Sequence, residues 1–344
     1  MQGGRSGNNL KVSFTALKKK IRLFRCSRFL LLLGCLSMLS VSAGASSYPI
    51  RYHNDQGLRR LAMRDVAAFY GLRQSMREGH VYWRGAGGSA EFEVDRRRAK
   101  VNGTRMHLSH SVGEHEGQAT LGEADFRLLI DPLLRDAALP PQSVRTIVID
   151  PGHGGRDEGT RGSRYTEKEV VLAISRHLAW ILRQRGFQVH LTRTLDEFIP
   201  LRRRAEMARE AGADIFVSVH ANSAADSSVR GFETFILPPA GTPGTYTNRA
   251  VNVKRPGNDF DKQNLRLAYE IQRRSVVRTG TVDRGVKHAL MEVLRPLSCP
   301  GVLVEVGFMS NRREERKLGD TDYQRQVAHG IAEGIIAYSR IVSR

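Results

Sequence analysis

The chain of 344 residues is long enough for two domains after removal of any targeting segment. It carries 54 Lys+Arg against 35 Asp+Glu, a formal charge of +19, which favours polyanionic partners. Of its three cysteines, Cys26 and Cys35 fall in an N-terminal leader, so Cys299 has no partner for an intramolecular disulfide.

Residues 1–45 read as a secretory signal peptide. They contain eight basic residues and no acidic one, then the apolar stretch Phe29 to Val41, then Ala43-Gly44-Ala45 as a small-x-small cleavage site. The stretch is too short for a good membrane span, so no stable span is expected after cleavage. The expected location is outside the cytoplasm, in the periplasm or cell envelope. Taking the eight leader charges from 54 leaves 46 basic against 35 acidic residues, a net of +11. In an exported protein such a surface suits anionic envelope polymers. No nucleic-acid recognition motif is present, and nucleic acid is not an expected partner.

Residues 46–139 read as a small α+β domain. Leu58 to Tyr70 has apolar residues at helical spacing. His80-Val81-Tyr82-Trp83 and Ala90-Glu91-Phe92-Glu93-Val94 read as strands. Lys100-Val101-Asn102-Gly103 supplies a hairpin turn, and Phe126 to Leu134 a second helix. His107, His110 and His115 have no regular ligand spacing and read as part of a solvated loop. The segment resembles the copper-amine-oxidase N-terminal-like domain of cell-wall proteins, through Ala99-Lys100-Val101-Asn102-Gly103 and Asp125-Phe126-Arg127-Leu128-Leu129. The resemblance implies a binding or spacer role.

Pro140-Pro141 marks a boundary, because paired prolines favour an extended linker. Residues 140–344 then alternate strands with helices. Expected strands are 146–149, 187–191, 215–219, 232–237 and 301–306. Expected helices are 169–185, 201–211, 265–279 and 323–341. This alternation predicts an α/β fold with a mostly parallel sheet covered by helices. Residues 238–263 are rich in Pro and Gly and predict an irregular loop rather than a helix.

Three motifs follow or interrupt apolar strands: Asp150-Pro151-Gly152-His153-Gly154-Gly155, Ser218-Val219-His220-Ala221-Asn222 and Val304-Glu305-Val306-Gly307-Phe308. Strand ends of an open α/β sheet gather at one edge, where ligands bind. His153 and His220 there, with Glu167 opening a helix, point to a metal hydrolase. Glu305 interrupts a run apolar on both faces. A buried carboxylate needs a partner, a metal or a shifted pKa. It reads as a general acid–base, with a structural ion pair as the alternative. Cys299, before a buried strand, reads as structural.

These motifs, with Thr166-Glu167-Lys168, Asp283-Arg284-Gly285-Val286-Lys287 and Val302 to Asn311, stand in one order. Together they resemble the zinc-dependent N-acetylmuramoyl-L-alanine amidases of the type 3, AmiC-like group, over roughly residues 145–340. The resemblance implies one Zn²⁺ per catalytic domain on His153, Glu167 and His220, with Glu305 as the catalytic carboxylate. It implies hydrolysis of the bond between N-acetylmuramic acid and L-alanine in peptidoglycan, in wall remodelling, cell separation or recycling. Asn222, Arg284 and Lys287 also match family positions. Arg284 and Lys287 would either hold an anionic stem peptide or belong to a solvated loop; Arg204 reads as structural. Division-associated relatives carry a blocking helix where residues 238–263 lie, so helix-type autoinhibition is expected to be weak or absent here. A protein activator stays open. Competing readings are a zinc peptidase acting on the same polymer and a non-catalytic wall-binding protein.

Overall fold

A computed structural model describes residues 8–12 and 48–344. The leader expected over residues 1–45 lies outside the described residues, apart from the strand Asn8–Val12. Among the described residues no helix is long and apolar enough to cross a membrane.

The strands of the N-terminal half are β1 (Tyr48–Asp55), β2 (Leu58–Ala62), β3 (Arg73–Arg77), β4 (His80–Gly85), β5 (Gly88–Glu93), β6 (Arg98–Val101), β7 (Thr104–His107), β8 (Gly113–His115) and β9 (Gln118–Gly122). Helix α1 spans only Met63–Phe69. The helix expected over 58–70 is thus half strand. Leu58–Ala62 pairs antiparallel with both β1 and β9, and these ladders outweigh the helical spacing of its apolar residues. The histidine segment is corrected as well. His107 ends β7 and His115 ends β8, where its ring stacks on His53 at 3.9 Å between centroids. Turn residues Glu116 and Gly117, both with positive φ, close the β8–β9 hairpin that a Gly/Glu-rich composition disguised as loop.

The second half follows the expected alternation. Its strands are β10 (Thr146–Pro151), β11 (Gln188–Leu191), β12 (Ile215–Asn222), β13 (Phe232–Ile236), β14 (Asp283–His288) and β15 (Gly301–Phe308). Its helices are α2 (Glu167–Arg183), α3 (Leu201–Glu210), α4 (Asp261–Thr279), α5 (Arg312–Leu318) and α6 (Thr321–Val342). Helix α2 begins at Thr166, whose backbone N–H and hydroxyl both donate to the Glu169 carboxylate, and it buries Val170, Ile174, Leu178 and Ile181 as one stripe. Residues 238–263 hold a two-residue ladder and a short 3₁₀ turn, and an α-helix starts only at Asp261. Strand β14 is a further correction: Asp283–His288 is not loop but lies between β13 and β7.

Strand order in the large sheet is β11-β10-β12-β15-β13-β14-β7-β6-β5-β4-β3. Neighbours β11 to β15 run parallel, and β13 pairs antiparallel with β15. The pairing of β14 with β7, at Val286 and Met106, carries the sheet without interruption from the second half into strands β3–β7 of the first. Helix α4 crosses the same junction. Its Tyr269 hydroxyl donates to Val101 O at 3.1 Å, and Arg266 donates to Pro132 O at 2.8 Å.

Candidate active site

Strands β10, β12 and β15 are parallel neighbours, so their carboxyl ends open on one edge of the sheet. The chain leaves β10 through Gly152 and His153. His153 sits in the left-handed region at φ +57°, a conformation held only by surrounding structure. That structure is a pair of buried arginines. Arg204 donates to His153 O (2.7 Å) and Pro151 O (2.8 Å), and Arg193 donates to Gly152 O (2.7 Å) and Pro151 O (3.0 Å). Asp150 balances Arg204 at 2.7 Å and also accepts from the hydroxyls of Thr192 and Ser218. Burial, with the neighbouring Arg204 charge, pushes the Arg193 guanidinium down to about 10. Arg204 is therefore structural, as its sequence context predicts.

His153, Glu167 and His220 meet above this platform. Their donor atoms all lie within 4.8 Å of one another. Glu167 Oε1 is 3.1 Å from His153 Nε2 and 3.0 Å from His220 Nδ1. The backbone N–H groups of Ala221 (3.0 Å) and Thr160 (2.8 Å) also donate to its carboxylate. Burial would raise the pKa of Glu167, but the two histidines hold it well below the usual carboxylate range. Asp157 Oδ1 lies 2.9 Å from His153 Nδ1, at the other ring nitrogen from the Glu167 contact at Nε2.

Two glycines make room for the cluster. A Cβ on Gly152 would lie 2.3 Å from His220 Cε1, and one on Gly159 would lie 2.6 Å from both Glu167 Oε2 and His153 Cδ2.

Glu305 stands on β15 in register with His220 on one side and Glu233 on the other. It is buried, and its Oε2 has no hydrogen-bond partner among the described residues. Burial first, then the charges of Glu167 and Glu233, hold its carboxyl well above the usual range against the pull of Lys287.

Asn222, Arg284 and Lys287 also come together, on a residue that sequence reasoning missed. Glu233 accepts from Asn222 Nδ2 (2.8 Å), from Arg284 Nε (2.7 Å) and from Lys287 Nζ. Lys287 is only 3% exposed, which overturns a solvated loop; its ammonium also donates to the Tyr246 hydroxyl at 2.7 Å. The signal for Glu233 was available. It interrupts the apolar strand Phe232–Ile236 as Glu305 interrupts its own.

A family model described as N-acetylmuramoyl-L-alanine amidase matches residues 147–337. The amidase AmiA of Salmonella typhimurium is 34% identical over 221 residues, covering 57% of this chain and 76% of that protein. The amidase LytC of Bacillus subtilis is 37% identical over 195 residues, covering 57% of this chain and 36% of LytC. The solved catalytic domain of the amidase CwlV from Bacillus (Paenibacillus) polymyxa aligns at a TM-score of 0.49 with 34% identity, covering 58% of this chain and 99% of that one.

Proposed function

This chain belongs to the N-acetylmuramoyl-L-alanine amidase family and hydrolyses the amide between N-acetylmuramic acid and the stem peptide of peptidoglycan, and we propose that it does so as a zinc enzyme, with His153, Glu167 and His220 as ligands and Glu305 as the proton carrier. The observation that carries this reading is the convergence of two imidazoles and a carboxylate beside a buried carboxyl whose Oε2 has no hydrogen-bond partner among the described residues.

The donor set fits zinc. Zinc takes imidazole nitrogen and carboxylate oxygen, and here two such nitrogens stand 3.1 and 3.0 Å from one carboxylate oxygen, with all three ligand atoms within 4.8 Å of one another. Three protein ligands leave a position free, as a catalytic site needs. Zinc bound there would supply Lewis-acid polarisation of the amide carbonyl and a water of lowered pKa.

The protein's own groups supply the rest. Glu305 Oε2 would take a proton from the attacking water and return it to the leaving amine of L-alanine. Its raised pKa suits the delivery half of that exchange, since a carboxylate of ordinary acidity would hold the proton too weakly to hand it on. Asp157 would keep the His153 ring oriented. The Glu233 network would fix Lys287 and Arg284 beside the reacting bond, where an anionic stem peptide passes.

Export is part of the same proposal, supported by the basic and apolar leader of residues 1–45 and by a substrate that lies outside the cytoplasm. The 238–263 segment offers no α-helix before Asp261 to cover the site, which supports activity without an added activator.

The test is mass spectrometry of purified peptidoglycan incubated with the protein and zinc, against a chelator control. Free stem peptides beginning at L-alanine, alongside peptide-free glycan, are expected. Trimmed peptides still attached to muramic acid would make the enzyme a peptidase instead.

A further inference from the structure

Side chains alternate faces along a strand, so residues in register across the large sheet share a face. His220, Glu305 and Glu233 are in register, and they define the catalytic face. Phe235 lies two residues from Glu233 and pairs with Lys287, which therefore stands on that face. Val286 and Met106 pair on the opposite, buried face, so Arg105 and His107 return to the catalytic one. Register then carries it on to Lys100 opposite Arg105, Arg98 opposite His107, and Glu91 opposite Lys100. The N-terminal strands thus prolong the floor on which the chemistry stands.

A groove of about 500 Å³ lies on this prolonged floor, lined by Arg98, Lys100, Arg105 and His107 of the N-terminal strands and by Arg284 and Lys287 of β14. Its two walls are in direct contact. The Arg105 N–H donates to Asp283 Oδ2 at 2.9 Å, and a Cβ on Gly285 would come within 2.7 Å of Arg105 O. The Arg97 guanidinium donates to Gly244 O (2.8 Å) and Thr247 O (3.0 Å), and so holds the loop that carries Tyr246 to the groove.

The acids in the groove are already engaged. Glu91 pairs with Lys100 at 3.2 Å, Glu93 approaches Arg98 at 3.6 Å, and Asp283 accepts from the backbone of Arg105 and Gly285. The exposed Arg105 side chain has no acidic partner among the described residues. His107 is pushed down to about 4 by burial first, with the neighbouring charges of Lys287, Arg97 and Arg98 acting in the same direction.

We propose that the N-terminal module completes the substrate site, with Arg105 binding a carboxylate of the stem peptide at the far end of a platform that starts at Glu305. The proposal rests on the amidase reading. Three strand spacings separate β15 from β7, roughly 14 Å at about 4.8 Å each. An extended peptide rises about 3.3 Å per residue, so a stem peptide cut at Glu305 brings a carboxylate about four residues along to Arg105. A guanidinium fork suits that carboxylate.

The experiment measures binding of a free stem tetrapeptide, and of the same peptide with its carboxylates amide-capped, to the full zinc-loaded chain by calorimetry. The same protein is assayed for cleavage of muramyl-tetrapeptide and of muramyl-L-alanine. Arg105→Ala is expected to weaken tetrapeptide binding about tenfold and to raise KM on muramyl-tetrapeptide equally, with kcat within about twofold. Capped peptide and muramyl-L-alanine should not respond, and Arg105→Lys should recover part of the loss. Tetrapeptide binding that is absent from the wild type, unchanged in Arg105→Ala, or equally lost for the capped peptide would overturn the proposal. Arg105-dependent binding without any cleavage would uphold the subsite while removing the amidase reading. Normal cleavage of both substrates by Arg105→Ala would do the reverse.

Discussion

Glu233 and Glu305 face each other across the antiparallel pair β13–β15, two carboxylates buried side by side on one face of the sheet. Among the described residues, Glu233 of the two is neutralised, by Arg284 and Lys287. Glu305 keeps a carboxyl held above the usual range by burial first and then by the charges of Glu167 and Glu233.

Removal of that carboxyl should stop the reaction without dismantling the site. Glu305→Ala is expected to lower amide hydrolysis about a thousandfold, within the usual range for a lost general acid–base. Zinc content measured by atomic emission should stay near one per chain. Near-normal turnover would remove Glu305 from its assigned role.

Neutralising Glu233 should move the pH profile in a defined direction. Its charge raises the Glu305 pKa, so Glu233→Gln lowers it. A base must be deprotonated to act, and the acid limb of kcat/KM therefore shifts to lower pH. The same change strips Arg284 and Lys287 of a buried counter-charge, and a loss of about 3 kcal/mol or more is expected in denaturant unfolding. An acid limb that stays in place would separate the two carboxylates.

Gly152→Ala tests the close approach of the metal-binding ring. The added methyl would meet the His220 imidazole at 2.3 Å, too close for the ring to stay where it is. Zinc affinity, measured by competition with a chelator, should fall by at least about tenfold, the scale seen when ligand orientation is disturbed. Wild-type affinity would mean that the ring tolerates displacement.

Arg204→Ala breaks a buried pair with Asp150 and releases the carbonyls of Pro151 and His153. The cost of leaving one buried charge alone is about 3–5 kcal/mol, or a drop in Tm of roughly 10 °C for a domain of this size. Calorimetric scans of the metal-free protein isolate this effect from any change in zinc binding.

Cys299 should be inert. Burial pushes its thiol up to about 12, and the side chain is 5% exposed. In protein lacking residues 1–45, a disulfide reagent at pH 8 is expected to label nothing until denaturant is added, and then one thiol per chain. Rapid labelling of the folded protein would contradict this packing.

The parts of the site legible in the sequence are those written in local pattern. His153 and His220 end apolar strands, and Glu305 breaks a run that is buried on both faces. Glu233 breaks its own apolar strand in the same way, yet nothing local says that it lies opposite Glu305. The solvated-loop reading of Arg284 and Lys287 failed for the same reason. Asp283–His288 alternates polar and apolar residues too weakly to announce a strand, and it becomes one because β13 and β7 pair with its two edges. The helix expected across Leu58–Ala62 gave way to two neighbouring strands.

The sequence by itself determined the alternation of strands and helices, the glycine-flanked turn at His153 and the carboxylate buried in β15, because periodicity and turn chemistry act over a few residues. Only the tertiary structure decided which strand edges meet: Glu233 against Glu305, and Met106 against Val286, the junction that makes one sheet of two halves. Backbone N–H and C=O groups are the same at nearly every residue, so an edge carries little mark of its partner. Its partner is chosen by the packing of the whole chain.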